Sequence, residues 1–135
     1  LDMITIRKKY YFYAAHRNKE AGEKCGRIHG HTYDIECFFS FDEMSNGITM
    51  LFSDIDEIVE PIIKYYDHYF LLFNQDPLCD ILEMANEEFI SLPFETSAEN
   101  LAIWIFNKIR KELPITKISF SETKSSIVIY EQPID

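Results

Sequence analysis

Cations are in short supply in this chain: 13 Lys+Arg stand against 23 Asp+Glu, a formal net charge of −10 at pH 7. A phosphate backbone is gripped by a basic face, so this balance argues against nucleic acid as a partner. It leaves room for a small anionic ligand held by a local pocket. Cysteine is scarce too. Three residues, an odd number in no regular framework, suit a reducing compartment better than a disulfide scaffold. No apolar run approaches the roughly 18–20 residues of a spanning helix. Leu1-Asp2-Met3-Ile4-Thr5 has neither the basic nor the apolar region of a signal peptide. The expectation is a cytoplasmic protein with no membrane segment. Low-complexity sequence is missing, and 47% hydrophobic with 15% aromatic content is ample for a core. The 135 residues carry no internal boundary and no tandem repeat, so 1–135 reads as a single domain.

What is present is an unusual placement of 4 histidines. His16 lies in Tyr13-Ala14-Ala15-His16-Arg17, and a pair closes Cys25-Gly26-Arg27-Ile28-His29-Gly30-His31. His68 lies in Tyr66-Asp67-His68-Tyr69. On a strand, His29 and His31 project from the same face. Residues 4–16 read as a first strand, with Ile4, Ile6, Tyr10, Phe12, Ala14 and His16 in one phase. Residues 18–27, polar and containing Gly22 and Gly26, read as a loop. Residues 28–42 alternate again, and Tyr33, Ile35, Cys37, Phe39 and Phe41 continue the phase of the two histidines. Antiparallel pairing across the loop brings His16 beside His29 and His31. Three neutral imidazoles with an open fourth position make a catalytic-type zinc site. Burying them without a metal would demand several separate polar partners, since each unpaired buried group costs roughly 1–3 kcal/mol.

The remaining pattern is helical, then extended. Ser53 reads as the N-cap of a helix over 54–66, with Ile55, Ile58, Val59, Ile62, Ile63 and Tyr66 inward and Pro61 predicting a kink or early break. Asp76-Pro77 reads as the cap of a shorter helix with Leu78, Ile81, Leu82, Ala85 and Phe89 inward. Thr96 and Glu99 suit a capping box for a third helix with a Leu101, Ala102, Ile105, Ile109 stripe. A hairpin of 115–122 and 126–131 closes the chain. The sum is an α+β domain whose antiparallel sheet is covered on one face.

Three further features carry chemistry. Cys25 sits between Lys24 and Arg27 on the polar loop. It is either a fourth ligand closing a structural site, or an unligated thiol beside an open metal position, where nearby cations favour the thiolate as base or nucleophile. Cys37 and Cys79 read as core residues. Asp67-His68 is either a surface pair or a proton-relaying dyad, in which the carboxylate fixes the imidazole tautomer. Glu122 shares a phase with Ile118 and Phe120, so its carboxylate points to the apolar side and needs donors. Those come from the protein itself or from an amino-bearing heterocycle such as guanine or pterin. No His-Glu-x-x-His helix suggests a zinc hydrolase.

Taken together, Phe12-Tyr13-Ala14-Ala15-His16-Arg17, Cys25-Gly26-Arg27-Ile28-His29-Gly30-His31, Asp67-His68, Ala98-Glu99-Asn100-Leu101-Ala102 and Glu122-Thr123 resemble the 6-pyruvoyltetrahydropterin and 6-carboxytetrahydropterin synthase family. The segments occur in the family's order over nearly the whole chain. The resemblance implies a T-fold, a four-stranded antiparallel sheet with two main helices on one face, assembled as trimers and hexamers with shared active sites. It implies Zn2+ on His16, His29 and His31, catalytic roles for Cys25, Asp67 and His68, and a pterin held by Glu122, with the Ser97 hydroxyl able to touch it. The implied substrate is the pterin triphosphate 7,8-dihydroneopterin triphosphate.

The Lys24-Cys25-Gly26-Arg27 context resembles the bacterial carboxy enzymes, which release triphosphate and acetaldehyde and give 6-carboxy-5,6,7,8-tetrahydropterin for 7-deazaguanine (queuosine) synthesis. The alternative is the 6-pyruvoyl enzyme of tetrahydrobiopterin synthesis, which eliminates triphosphate only. A rival of another class is a non-catalytic, zinc-stabilised pterin-binding or assembly module. Cys25 argues against the subgroup that carries Glu there and makes 6-hydroxymethyl-dihydropterin. The chain departs from the family in having Leu51-Phe52 for Asp-Phe, Thr96-Ser97 for Pro-Thr, and a longer stretch between Phe73 and Phe94. Lys24, Arg27 and Arg17 are the cations proposed to line the triphosphate path.

Overall fold

Two long strands frame the molecule. The computed structural model describes residues 2–134. Strand β1 (Ile4–His16) pairs antiparallel with β2 (His29–Phe41), in a register that runs from Ile4 opposite Phe41 to His16 opposite His29. Helix α1 (Phe52–Lys64) follows, then β3 (Tyr69–Phe73), α2 (Leu78–Met84), β4 (Ile90–Leu92), α3 (Ala98–Arg110), β5 (Ile115–Thr123) and β6 (Ser126–Glu131). β5 adds antiparallel to β2, and β6 to β5.

The four expected antiparallel strands are therefore present, but the sheet does not stop there. Its order is β4-β3-β1-β2-β5-β6. β3 joins the end of β1 in parallel, with Ala14 opposite Tyr69 and His16 opposite Leu71, and β4 pairs parallel with β3. Six strands replace the expected four. The adjacent Leu71 and Leu72 are both fully buried, so β3 is covered on both faces and shows no alternation.

The core lies between the sheet and two helices. Tyr10, Phe12 and Ala14 of β1, Tyr33, Ile35, Cys37 and Phe39 of β2, and Ile118 and Phe120 of β5 meet Ile55, Val59 and Ile63 of α1 and Leu101, Ala102, Ile105, Phe106 and Ile109 of α3. An aromatic row crosses the strands: Phe12 stacks on Tyr33 at 4.8 Å, and Phe120 stands 5.3 Å from Tyr33.

Local signals fared less well than periodicity. α1 starts at Phe52 with Leu51 at its N-cap and no side-chain cap bond, so Ser53 is not the cap. The Leu51 carbonyl instead accepts the Asp54 and Ile55 N–H groups. Pro61 does not end the helix early; the helix runs on to Lys64. Pro61 lies on the exposed side, where the carbonyl its missing N–H leaves unpaired is open to solvent. α3 is capped by Ser97, which accepts the Asn100 N–H at 3.1 Å; the expected Thr96–Glu99 box does not form. Thr96 is fully buried and faces His16 instead. α2 exists, with Asp76 accepting the Leu78 N–H at 2.9 Å, yet Cys79 is its buried residue while Ile81 is 59% exposed. Among the described residues, no helix is long and apolar enough to cross a membrane.

Candidate metal centre and active site

The β1–β2 register decides what the histidines can do. It sets His16 opposite His29, and the two-residue repeat returns His31 to the same face. The three rings stand 4.6, 5.1 and 4.8 Å apart, centroid to centroid. One ring nitrogen from each lies within 4.8 Å of the others.

Hydrogen bonds behind the rings set their orientation. His16 Nδ1–H donates to the Thr96 carbonyl at 2.7 Å, and His29 Nδ1–H donates to the Arg27 carbonyl at 2.7 Å. Each bond leaves Nε2 as the nitrogen that carries the lone pair. His16 Nε2 and His31 Nε2 are buried and have no partner. Burial, partly offset by the Thr96 bond, holds His16 down at about 4, and burial lowers His31 as well. His16 and His31 are thus held neutral at neutral pH, and one ring nitrogen of each of the three histidines faces a common space. The donor set fits a zinc ion bound by three histidines.

Glu122 enters the same space. Its carboxylate oxygens lie 3.8 Å from His16 Nε2 and 3.5 Å from His31 Nε2, and burial raises its pKa. Tyr33 forms the inner wall, its ring centroid 5.4 Å from that of His31 and 6.0 Å from that of His16. Its hydroxyl is buried without a partner. The alternation marked Tyr33 only as a core residue; its place two residues beyond His31 was the available signal. Tyr33→Phe should raise the stability of the metal-free protein by about 1 kcal/mol, because it deletes an unsatisfied buried group. Thermal denaturation checks this, and a lower melting temperature would show that the hydroxyl has a partner in solution.

Asp67 and His68 do meet. His68 Nδ1 lies 2.8 Å from Asp67 Oδ2, and Asp67 Oδ1 accepts the Tyr13 N–H at 2.8 Å. That backbone bond, ahead of the His68 contact, holds the Asp67 carboxyl below its ordinary range. His68 adopts φ +66, a left-handed conformation rare for a non-glycine residue, pinned by its N–H to the Tyr13 carbonyl. The contacts of the pair are nevertheless with Tyr13 and not with the histidine trio. His68 stands edge-on to Tyr13 at 5.7 Å, and Tyr13 projects from the opposite face of β1 to His16. His68 lines an open depression of about 780 Å³ with Tyr13, Tyr69 and Phe70, and His31 of the trio is among the residues that line it too.

With this geometry in place, comparison with known proteins is decisive. The profile of the 6-pyruvoyl tetrahydropterin synthase family matches residues 5–133. The chain belongs to this family. It is thereby an enzyme of pterin metabolism, with the T-fold described above. A 6-carboxy-5,6,7,8-tetrahydropterin synthase of Haemophilus influenzae is 30% identical over 141 residues, covering 96% of this chain and 100% of that protein. Among solved structures, an uncharacterized Wolinella succinogenes protein superimposes with a TM-score of 0.82 at 18% identity, covering 97% of this chain and 99% of that one. The Caenorhabditis elegans 6-pyruvoyl tetrahydropterin synthase does so at 0.71 and 21%, covering 98% and 97%. Both structural likenesses concern the fold.

The other positions that match family motifs are placed as follows. Cys25 is exposed on the 17–28 loop and is not part of the metal-competent cluster. The loop folds back on itself: the Cys25 carbonyl accepts the Asn18 N–H at 2.7 Å, and a Cβ at Gly26 would lie 2.8 Å from the Gly22 carbonyl. Only glycine fits at position 26. Ser97 serves as the α3 cap, its oxygen accepting from Asn100. Arg17 is not available for a triphosphate, because its Nε and Nη2 donate to Asp76 at 2.8 and 2.5 Å. Arg27 pairs with the exposed Glu23 at 3.2 Å, and Lys24 is exposed.

Proposed function

We propose that this chain is a zinc enzyme that converts 7,8-dihydroneopterin triphosphate and one water to triphosphate, acetaldehyde and 6-carboxy-5,6,7,8-tetrahydropterin, the last for 7-deazaguanine (queuosine) synthesis. The observation that carries the reading is the pair of buried, unpartnered Nε2 atoms of His16 and His31 in a trio of which His16 and His29 are oriented by backbone carbonyls. The Haemophilus influenzae protein bearing that name, matched along its full length, supports the choice of product.

His16, His29 and His31 would hold the metal. When bound, zinc supplies a Lewis acid that polarises the hydroxyls of the substrate side chain and eases loss of a nearby proton. Cys25, on a loop that springs from His16 and returns at His29, takes that proton. His68, its tautomer fixed by Asp67, exchanges the second, each transfer typically worth about 10²–10⁴-fold. Triphosphate departs with the electron pair of its C–O bond, and water then adds at the side-chain carbon next to the ring as the C–C bond beyond it breaks, releasing acetaldehyde and leaving the carboxyl group. Glu122 accepts hydrogen bonds from the pterin's amino end, and its raised pKa reflects the poor solvation such an acceptor must bear in the absence of ligand.

One chain does not bring all of these groups together, since the contacts of Asp67–His68 are with Tyr13, which projects from the face of β1 opposite His16. A second copy supplies the dyad, in a trimer or hexamer with shared sites. β6 offers the edge for such assembly, with Ile127 57% and Ile129 55% exposed. Zinc-loaded protein given dihydroneopterin triphosphate should yield triphosphate, acetaldehyde and the 6-carboxy product by mass spectrometry. A retained three-carbon side chain would assign the 6-pyruvoyl reaction instead. Bound but unconverted substrate would favour the non-catalytic module.

A further inference from the structure

A cleft of about 390 Å³ lies between the end of α1, β4 and α3, and none of the three histidines lines it. Its size is that of a small-molecule site. The walls are apolar and aromatic: Ile62 and Tyr65 at the end of α1, Ile90 and Leu92 from β4, and Trp104 from α3.

Two polar groups line the same space, and both have hydrogens to give. Tyr66 is 1% exposed. Its hydroxyl oxygen accepts the Trp104 Nε1–H at 3.0 Å, and among the described residues the hydroxyl's own hydrogen has no acceptor. A buried donor left unpaired carries its full desolvation penalty until an acceptor arrives. Lys108 Nζ stands 4.5 Å from the centroid of the Trp104 ring, and among the described residues it belongs to no ion pair. The face of the indole holds that ammonium at the cleft wall. Both donors are thus fixed by one ring.

This combination selects a ligand. Aromatic walls suit a flat ring, and an ammonium beside a spare hydroxyl hydrogen suits an anionic acceptor. Glu83, Glu87 and Glu88 line an adjoining hollow that shares Tyr65, Ile90 and Ser91 with the cleft. Those carboxylates repel an anionic head from their end, which leaves the Lys108 end for it. We infer that the cleft is a binding site for a small planar carboxylate, with its ring against Trp104 and its carboxylate on Lys108 and the Tyr66 hydroxyl. The site is independent of the zinc and pterin reading.

Trp104 is the chain's only tryptophan, so its indole N–H gives a single resonance that reports on the cleft. The intact protein is titrated with cinnamate, cinnamyl alcohol and cinnamylamine while that resonance is followed. Cinnamate should move it saturably and bind about 3-fold or more tightly than the alcohol, with the amine weakest. Lys108→Gln should weaken cinnamate about 3- to 5-fold and leave the alcohol unchanged, whereas Lys108→Arg should keep the preference. A resonance that cinnamate does not move, as when a second copy covers the cleft, overturns the inference. Alcohol or amine bound as tightly as cinnamate overturns it too, and would make the cleft a plain apolar groove. Neither result bears on the metal centre.

Discussion

Cys25→Ala and His68→Ala each lower turnover by about 10²–10⁴-fold, yet an equal mixture of the two, dissociated and reassembled, regains about a quarter of wild-type activity. The recovery follows from the geometry. Cys25 sits on the loop joining His16 to His29, so it stays with the trio of its own chain. His68 is anchored through Tyr13 on the opposite face of β1, so in the proposed assembly it would serve the trio of a neighbour. Where a site draws its cysteine from one copy and its dyad from another, random assembly leaves about one site in four with both groups intact. A mixture no more active than its parts would place both groups in one chain's site, or the dyad outside the reaction. Cys25→Ala should also retain zinc and fold, because residue 25 is exposed and outside the trio. Loss of zinc would make Cys25 a ligand and favour the structural module.

Much of the fold was legible because strands and amphipathic helices repeat with simple periods. β1 was expected at 4–16 and spans Ile4–His16; the closing hairpin was expected at 115–122 and 126–131 and spans Ile115–Thr123 and Ser126–Glu131. β3 and β4 were not legible. Tyr69–Phe73 is apolar on both faces, and its parallel partner is chosen by the turn through Asp67 and His68. Caps failed for a related reason. A hydroxyl's local preference is weak, and Thr96 was claimed by a histidine 80 residues away.

The site divides along the same line. The common face of His29 and His31 follows from spacing, whereas His16 joins them only through the register of two strands. The phase of Glu122 was readable, but not its approach to the trio. That depends on how β5 lies against β2, where Asp34 faces Ser121 beyond a register shift at Phe38 and Phe39. Adjacency of Asp67 and His68 could not say which face of the sheet they occupy; the left-handed turn at His68 decides it. Arg17 was expected with Lys24 and Arg27 to line a triphosphate path, and its pairing with a carboxylate distant in sequence gives it another task.

That task carries the largest stability effect expected for a single substitution here. Asp76→Ala should cost about 3–5 kcal/mol, the usual penalty for stranding one member of a buried ion pair. The Asp76 side chain is 5% exposed and that of Arg17 18%, and the two are joined by a two-point contact. Asp76 also accepts the Leu78 N–H at the start of α2, so the substitution removes a helix cap as well. The sign of the pH dependence is fixed. The Arg17 hydrogen bond, above other causes, holds the Asp76 carboxyl below its ordinary 3.8. A depressed carboxyl contributes stability that is present above the unfolded value and lost as pH falls through the folded one. The gap between wild type and Asp76→Ala should therefore be full at pH 7 and shrink below about pH 4. Urea unfolding of the metal-free proteins at pH 7 and pH 3 measures it, and a gap under about 1 kcal/mol at pH 7 would mean the pair is solvated rather than buried. Because Arg17 follows His16 directly, the same variant should also bind zinc more weakly, tying the long segment after Phe73 to the metal centre through one ion pair.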